Sequence, residues 1–350
     1  MSIAVYLSQA REPMSRIAFF SFLSFVFCLS FAALSFIASP NAVAMQKVLQ
    51  EPAVSSSLRV LVWNVLHGGN DVDRGAEKAL EIIRREKPDV VLMQESYDIE
   101  GDRGLLGPWI AKQLGWGFFQ GSSTHLCVLT PLTIEKTFEH AVWHGVGAKI
   151  RDSKGQSFIA YSIWIDYRSF VGDYLRDHPE ATDEELLACE TTRSNRLAQA
   201  KEIVKHLKAE GHFDAKVPLL VGGDFNCPSH LDWTEDTAIA DKYRRAIPLP
   251  VSTLMAETGF VDSYRKVHPN PVQRPGITWT PMFRGSVEDP ETLDRIDRLY
   301  LYNPKSDPRL IPSGAKVLPR KWAPLDQPAG QHDFPSDHGA VVIDFQWQVR

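Results

Sequence analysis

Cysteine is scarce in this sequence: four in 350 residues. Only Cys127, Cys189 and Cys227 lie beyond residue 44. An odd number cannot form a complete disulfide framework, which excludes a small domain held together by bridges. A Cys127–Cys189 bond is compatible with an oxidising compartment but does not follow from the sequence. Cys227 reads as a packed or free thiol. A basic excess is missing as well, with 38 Lys and Arg against 43 Asp and Glu for a formal net charge of −5. Residues 1–44 carry Arg11, Arg16 and Glu12, a net of +1, which leaves about −6 for the rest. Such a chain lacks the diffuse attraction to phosphate backbones that basic binders use. Nucleic acid is therefore an admissible partner but not the favoured one. No internal repeat or low-complexity block is present. At 44% hydrophobic and 23% charged, the composition is that of a globular protein, neither disordered nor multiply membrane-spanning.

Residues 1–44 stand apart. Arg11 and Arg16 precede an apolar run from Ile17 to Ile37, and Ala42-Val43-Ala44 follows with small residues. That is the order of a secretory signal. The run is long enough to span a bilayer, so an uncleaved anchor is the competing reading. Ser21, Ser24, Ser30 and Ser35 dilute it, which favours cleavage. Either way the remainder lies outside the cytoplasm. Met14-Ser15-Arg16 would make a tidier start than Met1. The expected organisation is a signal over 1–44, a linker over 45–57 and one domain over 58–350, with no membrane span in the mature form.

Within the domain the central stretch is Val217–Asn226, an apolar run followed by Gly222, Gly223, Asp224 and Asn226. The run predicts a strand buried on both faces, and the glycines predict a turn or a close approach. Asp224 and Asn226 project from one face of an extended chain. Strands are also predicted over Leu58–Val65, Asp89–Glu95, Ser157–Asp166, Asp294–Tyr302 and Ala340–Trp347, with several short ones between Phe118 and Lys149. Ala76, Leu80 and Ile83 predict a helix capped by Asp73. Thr182-x-x-Glu185 is a capping-box pattern, and Leu197, Ala200, Val204 and Leu207 predict a helix over Arg193–Glu210. His230–Pro250 reads as a lid or insertion, and Asn303–Gln331 as a long proline-rich loop.

Polar residues recur at the strand ends: Asn64, Glu95, Asp224, Asn226, Asp297, Asp337 and His338. Each alone has an ordinary explanation, such as an Asx turn or a salt bridge from Asp297 to Arg295 or Arg298. Seven together do not. The pieces Trp63-Asn64, Leu92-Met93-Gln94-Glu95, Gly223-Asp224-Phe225-Asn226, Arg295-Ile296-Asp297 and Ser336-Asp337-His338 resemble the endonuclease/exonuclease/phosphatase superfamily, whose fold is deoxyribonuclease I-like. The resemblance spans nearly all of residues 58 to 345. It implies a four-layer α/β sandwich, two packed mixed β-sheets flanked by helices, with the active site at one rim. It also implies divalent-metal-dependent hydrolysis of a phosphoester.

The residue types suit that chemistry. Glu95, Asn64 and Asp337 offer hard oxygen atoms for Mg²⁺ or Mn²⁺. His338 is the expected general base and Asp297 its orienting partner. The resemblance gives Asp224 and Asn226 the task of orienting the nucleophile or binding phosphate. Many family members carry a histidine where Trp164 stands here, in Tyr161-Ser162-Ile163-Trp164-Ile165. An indole donates one hydrogen bond and carries no charge. Arg193, Arg196 and His67 are the candidate replacements, and Trp164 itself is expected as core or pocket wall. The expected protein is thus an exported, metal-dependent phosphodiesterase or phosphomonoesterase acting on a small or lipid-linked substrate. A secreted nuclease and a non-catalytic binding module on a decayed enzyme fold are the alternatives. The sequence leaves the oligomeric state open.

Overall fold

The computed structural model describes residues 57–98, 101–240, 244–283, 285, 292–306 and 308–348. All of them belong to the unit Pro52–Arg350. The expected signal over 1–44, and the expected linker apart from Ser57, lie outside the described residues. Among the described residues no helix is long and apolar enough to cross a membrane.

Two mixed sheets of six strands each form the interior. The first contains β1 (Ser57–Asn64), β2 (Val90–Gln94), β3 (Gly117–Phe119), β4 (Cys127–Thr130), β11 (Arg309–Leu318) and β12 (Ala340–Gln348), ordered β11-β12-β1-β2-β4-β3. The second contains β5 (Thr133–His140), β6 (Gly145–Arg151), β7 (Ser157–Trp164), β8 (Leu219–Asp224), β9 (Val261–Asp262) and β10 (Asp297–Tyr302), ordered β5-β6-β7-β8-β10-β9. Strand alternation assigns each apolar residue to a layer. Leu58, Val60 and Val62 of β1 face the other sheet and meet Leu92, Leu220 and Leu299. Leu61 and Trp63 point outward to Leu80 and Ile83 of α1 (Gly75–Glu86) and to Ile110 of α2 (Leu106–Leu114). On the far side, Ile159 and Val221 pack against Ala200, Ile203 and Leu207 of α5 (Arg196–Ala209) and Met255 of α7 (Pro250–Glu257). The result is the four-layer α/β sandwich.

Each sheet has one parallel pair, β1 with β2 and β7 with β8. Both pairs are connected through helices, α1 in the first case and α5 in the second. Parallel strands joined this way direct their carboxyl ends to the same edge, where ligands of α/β proteins collect. Here those ends are Asn64, Gln94, Trp164 and Asp224.

Several expectations need correction. Gly222 and Gly223 do not make a turn; they lie within β8. A Cβ on Gly222 would come within 2.8 Å of Leu299, Leu92 and Val62, and one on Gly223 within 1.9 Å of the Ile163 carbonyl oxygen. The glycines let the two sheets, and β7 and β8, approach one another. The cap of α1 is Arg74 in a left-handed conformation, with no side-chain bond from Asp73. The segment 303–331 is not all loop, because it contains β11, an edge strand whose Pro312 sits at a register shift. Proline is tolerated at such a position since its missing N–H is not needed there. Residues 230–250 add α6 (Glu235–Ala240), and Trp233, Ile247 and Leu249 pack with Val171 and Leu175 of α3 (Val171–Asp177) and Leu186 of α4 (Asp183–Ala188). The Thr182–Glu185 capping box is present at α4. Cys127, Cys189 and Cys227 are all buried free thiols, so no Cys127–Cys189 bond exists.

Candidate active site

Five chain segments bring the polar strand ends together. Asn64 closes β1, Glu95 follows β2, Asp224 closes β8, and Asp297 opens β10 directly opposite Asp224 in the antiparallel register. His338 precedes β12, held by Trp63 Nε1–H donating to its carbonyl at 3.1 Å. The Ser336 hydroxyl ties this turn to β1, donating to the Asn64 carbonyl at 2.7 Å and accepting from the His338 N–H at 3.0 Å. Thr278 fixes β10 in the same manner, its hydroxyl oxygen accepting from the N–H groups of Ile296 and Asp297, both at 3.0 Å.

Within this frame, His338 Nδ1 lies 3.0 Å from Asp297 Oδ2. Asp297 is free to serve the histidine because its neighbours are engaged elsewhere. Arg295 pairs with Asp232 and Asp262 at 2.7 and 2.8 Å, and Arg298 donates to the Cys227 carbonyl. On the other edge of the ring, Nε2 lies 3.8 Å from Asp224 Oδ2. Asn64 Nδ2 donates to Glu95 Oε1 and Asp224 Oδ2, each at 3.0 Å. Its Oδ1 accepts from the Leu66 N–H at 3.1 Å. Asn64 therefore turns its amide nitrogen to Glu95 and Asp224 and its oxygen to the turn after β1. The Asx turn of Asp224-x-Asn226 is also present, with the Asn226 N–H donating to Asp224 Oδ1 at 2.8 Å.

Backbone strain gathers here. Leu66, His67, Glu95 and Asn226 all have positive φ, between 35° and 54°. Non-glycine residues seldom occupy that region, and where they do the surrounding contacts hold them there.

Burial dominates the electrostatics. It raises the Asp224 carboxyl well above the usual range, partly offset by His338 and reinforced by Asp297. It likewise pushes Asp337 up to about 6, where Glu95 adds to the rise. Burial opposes charge on His338, yet Asp297, Asp224 and Asp337 outweigh it and hold the imidazole protonated well above the ordinary histidine range.

The cleft over these groups has a volume of about 380 Å³. It is lined by Glu95, Asp224, Asn226, Asp337 and His338, together with Leu66, His67, Tyr97, Trp143, Trp164, Tyr167 and Trp279. Asn64 and Asp297 are fully buried beneath it. Of the expected phosphate contacts, His67 and Trp164 line the cleft and the arginines do not. Arg196 is fully buried and donates to the carbonyls of Asp166, Tyr167, Ser169 and Cys189. Arg193 is exposed and sits over the Tyr174 ring at 4.0 Å. A cation in a first helical turn needs compensation, and for Arg196 loop carbonyls supply it in place of phosphate. Trp164 is both wall and core: it packs on the inter-sheet cluster, and its buried indole N–H has no acceptor.

The sequence reading missed Tyr97, Trp143, Tyr167 and Trp279. Tyr97 lies two residues past the predicted strand end Glu95 and Tyr167 one past Asp166, which is the signal that would have found them. Trp279 lies outside every strand predicted above; its ring centroid lies 5.0 Å from that of His338.

The donor set suits a divalent ion. Asp337 Oδ1 is buried without a hydrogen-bond partner and lies beside Glu95. Asp224, Asp297 and His338 bring candidate ligand atoms within 4.8 Å of one another. A buried carboxylate oxygen lacking a donor, amid further carboxylates, fits a hard cation.

Comparison with known proteins agrees with this geometry. The sequence profile of the Endonuclease/Exonuclease/phosphatase family matches residues 61–338. An uncharacterized protein of Caenorhabditis elegans is 30% identical over 304 residues, covering 84% of this chain and 92% of that protein. Among solved structures, D. rerio TDP2 complexed with single strand DNA product is similar with a TM-score of 0.53 at 17% identity, covering 83% of this chain and 99% of that one. The human nocturnin catalytic domain with bound sulfate gives 0.51 at 17% identity, covering 83% and 95%. At these identities the structural matches speak for the fold alone.

Proposed function

The chain belongs to the endonuclease/exonuclease/phosphatase family, and on that premise we propose that it is an exported, divalent-metal-dependent hydrolase of phosphoesters that prefers diesters. The observation that carries this reading is the Asn64 amide bridging Glu95 and Asp224 beside the His338–Asp297 hydrogen bond. Ordinary packing does not converge three carboxylates, an amide and a protonated histidine on one cleft.

Glu95 and Asp337 would hold the ion, Mg²⁺ or Mn²⁺, with Asp224 near by. When bound, the ion supplies neutralisation of charge building on the phosphate and the leaving oxygen. Asp224, its carboxyl raised by burial, is suited to take the proton of the attacking water near neutral pH. His338 was expected as that base. The charge that Asp297, Asp224 and Asp337 favour on its ring suits it instead to donate to a phosphate oxygen. Asp297 keeps it charged and oriented. Asn226 follows from the next turn and completes the polar side of the cleft.

Among the described residues the cleft has no Lys or Arg lining. A monoester dianion would gain little there beyond the ion and His338, which is why diesters, with one charge, are preferred. The same deficiency weighs against the nuclease reading, since a nucleic-acid strand needs a basic track. TDP2 has been captured with a DNA product, but among the described residues no such track lines this cleft. Export rests on the order of Arg16, the apolar run and Ala42-Val43-Ala44, and N-terminal sequencing of the exported protein should begin near Met45.

Turnover of bis-p-nitrophenyl phosphate with Mg²⁺ and with Mn²⁺ tests the function. Activity should require the ion, vanish with chelator and fall at least a hundredfold in Asp224→Asn. Failure to hydrolyse this diester with either ion would leave a binding module as the better account.

A further inference from the structure

The wall of the cleft is aromatic, and nothing in the hydrolytic chemistry uses it. Tyr97, Trp143, Trp164 and Tyr167 form a continuous arc beside the carboxylates. Successive ring centroids are 6.0 Å apart for Tyr97–Trp143, 6.5 Å for Trp143–Trp164 and 6.0 Å for Trp164–Tyr167. His125 backs the arc, 4.3 Å from Trp143. Trp143 is 44% exposed and Tyr167 65% exposed, an unusual degree for rings beside a buried catalytic cluster. Resting on the phosphoesterase reading above, we infer that this arc is a subsite for a quaternary ammonium group carried on one arm of the phosphodiester substrate.

Two observations select a cation over a flat ring. The first is orientation. A planar base is held between parallel rings, whereas the three pairs are tilted by 51°, 56° and 48°. Rings inclined around a concavity offer several π faces to one rounded cation, which needs only a face within about 6 Å. The second is charge. Glu95, Asp224 and Asp337 border the arc, and no Lys or Arg lines the cleft among the described residues. A substrate arm bearing its own positive charge complements both the carboxylates and the negative ring faces. The reaction stays a hydrolysis: water forms a bond to phosphorus as one ester P–O bond breaks, and the proton lost by water ends on the departing alcohol.

Three esters sharing one leaving group test the subsite on the full chain: p-nitrophenyl phosphorylcholine, p-nitrophenyl 3,3-dimethylbutyl phosphate and thymidine 5′-(p-nitrophenyl phosphate). The second replaces the ammonium nitrogen by carbon at the same shape. The choline ester should exceed this neutral isostere in kcat/KM by about tenfold or more, mainly through KM. In Trp143→Ala and Tyr167→Ala the ratio should collapse toward one, and Trp143→Phe and Tyr167→Phe should restore it, with circular dichroism as folding control. Equal rates for choline ester and isostere, or preference for the thymidine ester, would overturn the inference. If no ester and no bis-p-nitrophenyl phosphate is turned over with Mg²⁺ or Mn²⁺, the phosphoesterase reading fails instead. Tryptophan fluorescence titrated with phosphocholine against 3,3-dimethylbutyl phosphate then decides the subsite alone: selective quenching by phosphocholine upholds it, and equal quenching or none sinks it.

Discussion

Burial, more than residue identity, sets what the individual side chains in the cleft can do. Asp224 is an ordinary carboxylate in sequence, yet full burial raises its carboxyl while His338, 3.8 Å away, is held charged. Such a pair titrates jointly. The rate should therefore rise with pH as Asp224 loses its proton and fall again as His338, held charged above the ordinary histidine range, loses its own. Asp224→Asn should remove the rising limb from whatever activity remains. Were His338 the base, the rising limb would survive that substitution and vanish in His338→Gln, and a pH–kcat/KM profile of both variants distinguishes the two. The arginines make a second prediction. Arg196→Ala strips donors from four carbonyls, two of these bonds buried and two part-buried, and should cost about 3–5 kcal/mol of stability. Arg193→Ala, exposed over Tyr174, should leave stability nearly unchanged. Urea denaturation of both decides it; equal midpoints would refute the structural role of Arg196.

Among the elements, β8 carries the most constraint. Its glycines serve packing, and the two do so in different directions. Gly222 faces the other sheet, where a methyl group would press on Leu92 and Val62, and also on Leu299 of the neighbouring β10. Overpacking of that sort costs roughly 1–3 kcal/mol. Gly223 faces backbone, the Ile163 carbonyl of β7, and the next register pair beyond it is Trp164 with Asp224. Gly223→Ala should force β7 and β8 apart, lowering both stability and kcat. Gly222→Ala should lower stability with a smaller change in kcat. Melting curves and kcat measured side by side check this, and a Gly223→Ala enzyme with unchanged kcat would show that the strand spacing does not position Asp224. The close contact was only half legible in the sequence: paired glycines announce an approach, but not what approaches.

For the molecule as a whole, the carboxylate cluster is a strain that an ion relieves. Asp337 is raised to about 6, above its unfolded value, first by burial and then by Glu95. Stability fully present below about pH 4 is therefore lost as the pH rises through about 6, on the order of 2–3 kcal/mol from this group. At pH 7 without ion, Asp337→Asn should be more stable than the wild type. Adding Mn²⁺ should raise the melting temperature of the wild type and do so less in the variant. A metal-free Asp337→Asn protein melting lower than wild type would contradict the burial account.

The sequence alone determined the sheets, the order of the polar strand ends and the family. Those follow from local causes: apolar runs of strand length, glycine and capping patterns, and a fixed residue order along β1, β2, β8, β10 and β12. It also singled out Asp297 and His338, which the fold sets 3.0 Å apart. Only the tertiary structure decided which neighbours each group would have. Asn64 turned its oxygen to Leu66, Arg196 was spent on loop carbonyls, and β11 formed despite Pro312 because it lies at an edge. The aromatic arc joins residues from three separated segments, so no sequence pattern announces it. Periodicity is a property of a single element. Burial, and with it protonation and partner choice, is a property of how the layers close on one another, and it exists only after they have closed.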